Sequence, residues 1–254
     1  MKRLSITAWL FVLLVTALVE IGVRGFDLHD SVPAPSAALR ALAEGMASGA
    51  LSGELGTTLA SYLQGLALAI VGGVALGIVI GSSRLLLDAS AVVIEFLRPI
   101  PAVTLIPLAI LAFGLGLPMR RFVIAYAALW PILINTLYGV RGTDRILRDV
   151  ARTSGLHRPA ELVRVTLPAA LPSIATGVRV SASIALLVGV TAEFITGTDG
   201  IGSYMQRHQL GFALPELYAA IVLVGVLGYA INVSLRAIER RVLFWVGEER
   251  VLGR

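Results

Sequence analysis

The chain has no cysteine. That excludes disulfides, thiolate metal sites and cysteine nucleophiles. Charge is scarce: 15% of residues are Asp, Glu, Lys or Arg, against about 25% in a typical soluble domain. The three histidines, His29, His157 and His208, stand far apart and show no metal-ligand spacing. No G-x-x-x-x-G-K-[ST] sequence occurs, so the chain holds no P-loop. Gly72-Gly73-Val74-Ala75-Leu76-Gly77 is rich in glycine, but it lies inside an apolar run and lacks the Lys-Ser/Thr ending, so it reads as packing. No Ser/His/Asp set, paired carboxylates or cluster of polar groups at one depth points to catalysis. The expectation is a non-catalytic chain.

What fills the 254 residues is apolar: 57% are hydrophobic, with a mean hydropathy of +0.86. A soluble fold of this size has no means of hiding so much apolar surface, and a polytopic, all-α membrane protein is expected. Crossing the hydrocarbon core takes about 20 apolar residues. Six stretches meet or approach that length: 4–23, 57–80, 89–113, 121–140, 171–195 and 217–238. The first follows Lys2-Arg3 as a signal peptide would. It is long for one and lacks an A-x-A cleavage site, so it reads as a retained span.

The net charge of +5 in such a chain reflects cytoplasmic loops and not nucleic acid. With Lys2 and Arg3 inside, six crossings place Arg84, the segment 141–170 and the tail on the same side. That segment carries Arg141, Arg145, Arg148, Arg152, Arg158 and Arg164. The tail carries Arg236, Arg240, Arg241, Arg250 and Arg254. The opposite side holds Arg24, Arg40, Arg120, Arg121 and Arg207, a thinner scatter. Five or seven spans would separate the basic loop from the basic tail. Both termini are therefore expected in the cytoplasm, and the whole of 1–254 is expected to form one transmembrane domain.

Outside, Val32-Pro33-Ala34-Pro35-Ser36 predicts extended backbone, then a short helix over 37–47 capped by Ser36, with Leu39, Leu42 and Met46 on one face. In the second span Ser61, Gly65, Ala69, Gly73, Gly77 and Gly81 recur every four residues. On a helix they form a stripe almost without side-chain bulk, which lets helices approach closely in lipid. Packing within one chain and a pore-facing or dimer-facing groove are both open. The third span opens with Glu95-Phe96-Leu97-Arg98-Pro99-Ile100-Pro101. Glu95 and Arg98 are spaced to pair, while Pro99, Pro101 and Pro107 should break the helix. Broken helices at membrane depth occur where they are buried or line a cavity. The break is thus a candidate wall of a path, or a kink needed only for packing. Glu193, near the end of the fifth span, is a functional candidate by depth or a cap for the polar segment after it. Glu20 is expected at the interface. Arg120 and Arg121, at the outer mouth, would suit anions, a protein partner or lipid headgroups.

The most informative stretch is the polar island 144–164. Ile146, Val150 and Thr153 lie on one side of a helix and Arg145, Arg148, Asp149 and Arg152 on another, with Asp149 spaced to pair with Arg145 and Arg152. Gly155 is expected in the left-handed conformation that ends a helix. A second helix over 158–165 starts with Pro159 in its first turn, and Leu167-Pro168 should stop it and launch the fifth span. The product is helix, glycine corner, helix, proline exit, a shape that fits a groove on a partner.

Asp149-Val150-Ala151, Arg152-Thr153-Ser154, Gly155 and, after nine intervening residues, Val165-Thr166-Leu167-Pro168 resemble the signature cytoplasmic loop of ABC importer permeases, E-A-A, three residues, Gly, about nine residues, an apolar residue, x, Leu-Pro. Asp149 and Val150 depart from the usual Glu and Ala. Further segments resemble the permeases of nitrate, sulfonate, taurine and bicarbonate importers. They are Pro33-Ala34-Pro35-Ser36, Leu97-Arg98-Pro99-Ile100-Pro101-Ala102, Leu171-Pro172-Ser173-Ile174, Ala192-Glu193-Phe194-Ile195 and Gly200-Ile201-Gly202.

The resemblance implies a type I importer in a bacterial inner membrane. Two permease copies would form the path for a small anionic solute delivered by an external binding protein. ATP and Mg would be bound by two partner ATPase subunits, and no cofactor by this chain. Arg148, Asp149, Ala151, Arg152, Gly155, Leu156, His157, Leu167 and Pro168 would form the coupling element. An ion-coupled carrier acting alone is the alternative; it needs ionisable groups at the midplane of several spans, and the sequence offers few.

Overall fold

The computed structural model describes residues 2–25 and 32–245. His29 and the tail residues Arg250 and Arg254 lie outside them. Among the described residues the chain is all helical. In order, α1 is Lys2–Gly25, α2 Pro35–Ala47, α3 Ala50–Ser82, α4 Arg84–Leu97, α5 Ile106–Phe113 and α6 Leu117–Arg141. Then come α7 Arg145–Thr153, α8 Arg158–Glu161, α9 Leu167–Thr196, α10 Ile201–Leu210 and α11 Leu214–Val242. Four helical segments, Ala50–Ser82, Leu117–Arg141, Arg158–Thr196 and Leu214–Val242, are long and apolar enough to cross a membrane. The bent pair Arg84–Leu97 and Ala102–Phe113 makes a fifth if it counts as one span. The remaining expected stretch, 4–23, forms the 24-residue α1. On these helices Leu63, Leu68, Val71, Leu111 and Leu187 are exposed, as suits side chains solvated by lipid.

The expected third span is broken. α4 turns by 83° into a 3-10 turn, Ala102–Leu105, and α5. Pro99 and Pro101 stand in the break and Pro107 at the second position of α5, where a missing N–H costs nothing. The expected Glu95–Arg98 ion pair does not form among the described residues. Arg98 stands at the cap beyond α4, and both side chains are exposed.

The chain divides into two compact units, Met1–Thr58 with Glu193–Leu227 and Leu59–Ala192 with Gly228–Arg254. In the first, α2 begins two residues earlier than expected. Ala34 takes the cap position and Pro35 the first helical one, so Ser36 does not cap. Instead its N–H and hydroxyl donate to the Glu20 carboxylate at 3.0 and 2.7 Å, joining α1 to α2 beside the Glu20–Arg24 pair. The buried face of α2 is Ala38, Ala41 and Gly45, not Leu39 and Met46, which are exposed. Small residues win because the Leu51 side chain lies where a Cβ on Gly45 would stand, at 2.6 Å.

In the second unit α6 is the central helix. The stripe of α3 faces it: Cβ atoms built on Gly65, Gly73, Gly77 and Gly81 would lie 2.6, 2.9, 2.6 and 3.1 Å from Ile124, Ile132, Thr136 and Val140. The stripe is filled within the chain and leaves no groove. Across α6 the same closeness recurs with α9: Cβ atoms built on Gly139 of α6 and Gly177 of α9 would lie about 3 Å from Ala170 of α9 and Asn135 of α6. Hydroxyls tie the two helices together, Ser173 to the Asn135 carbonyl at 2.7 Å and Ser181 to that of Ala128 at 2.6 Å. Pro131 and Pro172 sit inside α6 and α9.

Candidate functional site

Two constellations gather polar groups, one in each unit. The first is the corner between α6 and α9. Asp144 caps α7 by accepting from the Ile146 N–H at 2.9 Å. At the other end the Leu156 N–H donates to the Ala151 carbonyl and the Gly155 N–H to that of Arg152, both at 3.0 Å. This double closure is a Schellman motif, and it needs a left-handed residue after the cap. Gly155 has φ +80°, with nothing near the place a Cβ would occupy, so backbone conformation and not space demands glycine. His157 is the N-cap residue of α8, and Arg158 and Pro159 begin it.

The proline exit differs from expectation. Leu167-Pro168 does not stop the second helix. A π turn over Leu162–Thr166 runs straight on into α9, with the Leu167 N–H donating to the Leu162 carbonyl. Five-residue spacing relieves the clash a proline makes with the carbonyl four residues back, so the helix goes on.

Arg152 also finds another partner. Its guanidinium donates to Glu161, Nε to Oε2 at 3.1 Å and Nη2 to Oε1 at 3.5 Å, clamping α7 to α8. Glu161 is buried and Asp149 exposed. The hydrogen bond to Glu161 and its charge hold Arg152 above its ordinary pKa. Arg148 donates through Nη2 to the Val140 carbonyl at the end of α6. Ala151 is buried beneath the corner. With three bonds anchoring its polar side, α7 leaves Ile146, Leu147 and Val150 exposed at 69, 49 and 57%. Apolar side chains projecting from a charged segment mark a contact surface.

The second constellation closes the N-terminus of α10. The first N–H groups of a helix have no partner within it. Here the Gly200 N–H donates to Glu54, the Ile201 N–H to the Thr58 hydroxyl at 2.8 Å, and the Gly202 N–H to Glu193 Oε2 at 3.2 Å. The Thr58 hydroxyl donates to the same Glu193 oxygen at 2.8 Å. Two carboxylates at the positive end of a helix dipole are favourable. Gly200, at φ +115°, is required because a Cβ would overlap the Glu193 carboxylate. Arg207, in the last turn of α10, reaches back to Glu54 and to Ser203.

Glu193 therefore caps the segment after it, and Ala192-Glu193 and Gly200-Ile201-Gly202 are two halves of one joint. Glu54 and Thr58 escaped the sequence reading; their four-residue spacing at the start of α3 was the available signal. Glu193→Ala is expected to cost about 1–3 kcal/mol by orphaning a buried donor. Thermal unfolding in detergent checks this, and an unchanged midpoint would refute a load on the cap.

Other expected residues lie elsewhere. Glu95, Arg98, Pro99 and Pro101 are exposed around the α4–α5 break. Arg120 is buried, at 2% exposure, and presents no charge on the surface. Arg121 is half-buried and donates to Gln64 at 3.3 Å. Arg179, inside α9, pairs with the buried Glu239 of α11, a pair with no signal in the sequence. Among the described residues no group of three His, Cys, Asp or Glu is placed to hold a metal.

A model of the family described as binding-protein-dependent transport system inner membrane component matches residues 73–244, which include α7 and its glycine corner. A nitrate import permease of Leptolyngbya laminosa is 34% identical over 190 residues, covering 75% of this chain and 68% of that protein. A Bacillus subtilis permease named for aliphatic sulfonates transport is 32% identical over 245 residues, covering 93% and 88%. A chain of the inward-facing MetNI methionine ABC transporter shares the fold, with a TM-score of 0.66 at 21% identity over 76% of this chain and 95% of its own. The chain accordingly belongs to the binding-protein-dependent transport system inner membrane component family and is a multi-pass permease component of the ABC importer type.

Proposed function

We propose that this chain, paired with a second copy, forms the solute path of an ATP-driven importer. Two cytoplasmic ATPase subunits bind ATP with Mg, and an external binding protein delivers a small anion of the nitrate or sulfonate kind, as the names of the relatives suggest. The chain is one transmembrane domain of six spans, with α1 the first and both termini in the cytoplasm. Its loop of α7, Gly155 and α8, with Arg148, Asp149, Ala151, Arg152, Leu156, His157, Leu167 and Pro168, docks on an ATPase subunit. The α4–α5 break at Arg98–Pro101, with Glu95, lines the path. The second copy packs on a surface other than the glycine stripe, which α6 fills.

One observation carries this reading: the exposed row Ile146, Leu147 and Val150 on a short helix fixed by a Schellman motif and the Arg152–Glu161 clamp. A rigid helix presenting three apolar side chains from a charged loop fits a groove-docking mode. The absence of cysteine allows a direct test. A photo-crosslinker on Val150→Cys in the assembled transporter is expected to trap the ATPase subunit. The same label on Leu68→Cys, exposed on the apolar face of α3, should trap none. No adduct from position 150 would overturn the docking assignment.

A further inference from the structure

The side of α7 opposite its apolar row faces two adjoining cavities of about 760 and 470 Å3 within the second unit. Both are lined by Ser82, Arg84, Arg148 and Arg152; the larger adds Arg158, and the smaller adds Arg141 and Arg145. Four guanidiniums thus line the larger cavity with Glu161, and five line the smaller with Asp149. Glu161 is spent on Arg152, and Asp149 is exposed. The positive-inside tendency accounts for arginines in a cytoplasmic loop. It does not account for their convergence on two adjoining cavities from the start of α4, the end of α6, the length of α7 and the start of α8. Like charges so gathered repel unless an anion sits among them.

The donors suit an oxyanion. Guanidinium forks bind phosphate-type groups in pairs of hydrogen bonds, and a cation merely repelled by its neighbours needs no such geometry. Arg148 is held in place through Nη2 on the Val140 carbonyl, while its buried Nε has no acceptor among the described residues. The cavity is fixed at its rim by the Arg152–Glu161 clamp, so the site is built before a ligand arrives. It opens at the ends of α3 and α6, two membrane-spanning helices, where a lipid phosphate would lie.

We propose that this cavity binds a phosphate-type oxyanion, carried by the headgroup of an anionic phospholipid or by a free ion, on the rear face of the helix that presents Ile146, Leu147 and Val150. Its placement in the cytoplasm rests on the function proposed above. Its occupation would neutralise the repulsion behind α7 and set how firmly that helix is held.

The test reads binding and needs no ATPase, so it fails or succeeds independently of coupling. The purified full chain in detergent is titrated with phosphatidylglycerol, phosphatidylcholine and, separately, inorganic phosphate, and bound species are counted by native mass spectrometry and calorimetry. Arg84 and Arg158 are exposed and bear no structural bond among the described residues, so the double variant Arg84→Gln, Arg158→Gln should keep its fold, checked by helix content. Losing two charge-assisted contacts should weaken binding by at least about tenfold. Arg236→Gln, outside the cavity, should change nothing. Retention of phosphatidylglycerol over phosphatidylcholine, lost in the double variant, supports a headgroup site. Saturable phosphate binding without lipid, lost in the same variant, supports a free-ion site. Equal binding by wild type and double variant, or no binding of either anion, overturns the proposal.

Discussion

Gly155→Pro is expected to reduce solute-stimulated ATP hydrolysis by the complete transporter to its unstimulated rate, with the chain still inserted and assembled in the membrane. Proline fixes φ near −65°, whereas the corner holds residue 155 at +80°. It also lacks the N–H that donates to the Arg152 carbonyl. The Schellman closure is then impossible, α7 loses its set angle to α8, and the Arg152–Glu161 clamp loses its geometry. Gly155→Ala keeps the N–H and meets no clash, but pays about 1–2 kcal/mol for a left-handed alanine. Stimulation should therefore fall in the order glycine, alanine, proline. Wild-type stimulation in the proline variant would remove the corner from the coupling path. A proline variant absent from the membrane fraction would mean the corner serves folding.

Gly77→Leu is expected to leave little or no monodisperse protein after detergent extraction. A Cβ at this position would sit 2.6 Å from Thr136 Cβ and 2.9 Å from the Leu133 carbonyl oxygen. Thr136 is fully buried and the carbonyl belongs to the α6 backbone, so neither can step aside. Overpacking ordinarily costs about 1–3 kcal/mol, and a whole side chain pressed into backbone exceeds that range. Net stability is only about 5–15 kcal/mol. Gly72, one position from the stripe at Gly73, is the control: its Cβ would meet only Leu129 Cδ1 at 3.4 Å, so Gly72→Ala should be nearly neutral. If Gly77→Leu unfolds at the wild-type temperature, α3 and α6 do not meet as described.

Much of this was legible in the residues because the signals are local. Pro99 and Pro101 break the helix between α4 and α5 whatever surrounds them, since the missing N–H and the ring are properties of the residue. Gly155 ends α7 for the same kind of reason. Reading failed where a residue had a choice of partner. Ser36 was expected to cap its own helix, yet Glu20, sixteen residues earlier, holds it. Asp149 was spaced to meet Arg152, yet Glu161, buried and on the next helix, takes the guanidinium. Pro168 was read as a stop because proline clashes with the carbonyl four residues back; a π turn changes that spacing, and no pattern of residue types reveals it.

The sequence by itself determined the class, the apolar helices and their breaks, the glycine corner and the lack of any nucleotide-binding motif. Each follows from hydrophobicity summed along a segment or from the backbone limits of glycine and proline. Tertiary structure alone decided that the stripe of α3 is filled by α6, that Arg120 is buried, and that Glu54, Thr58 and Glu193 meet at the N-terminus of α10. It also decided that arginines from four helices line two adjoining cavities. Those are questions of which atoms come within reach across tens of residues, and a hydrogen bond or ion pair acts over a few ångströms of space, not of chain.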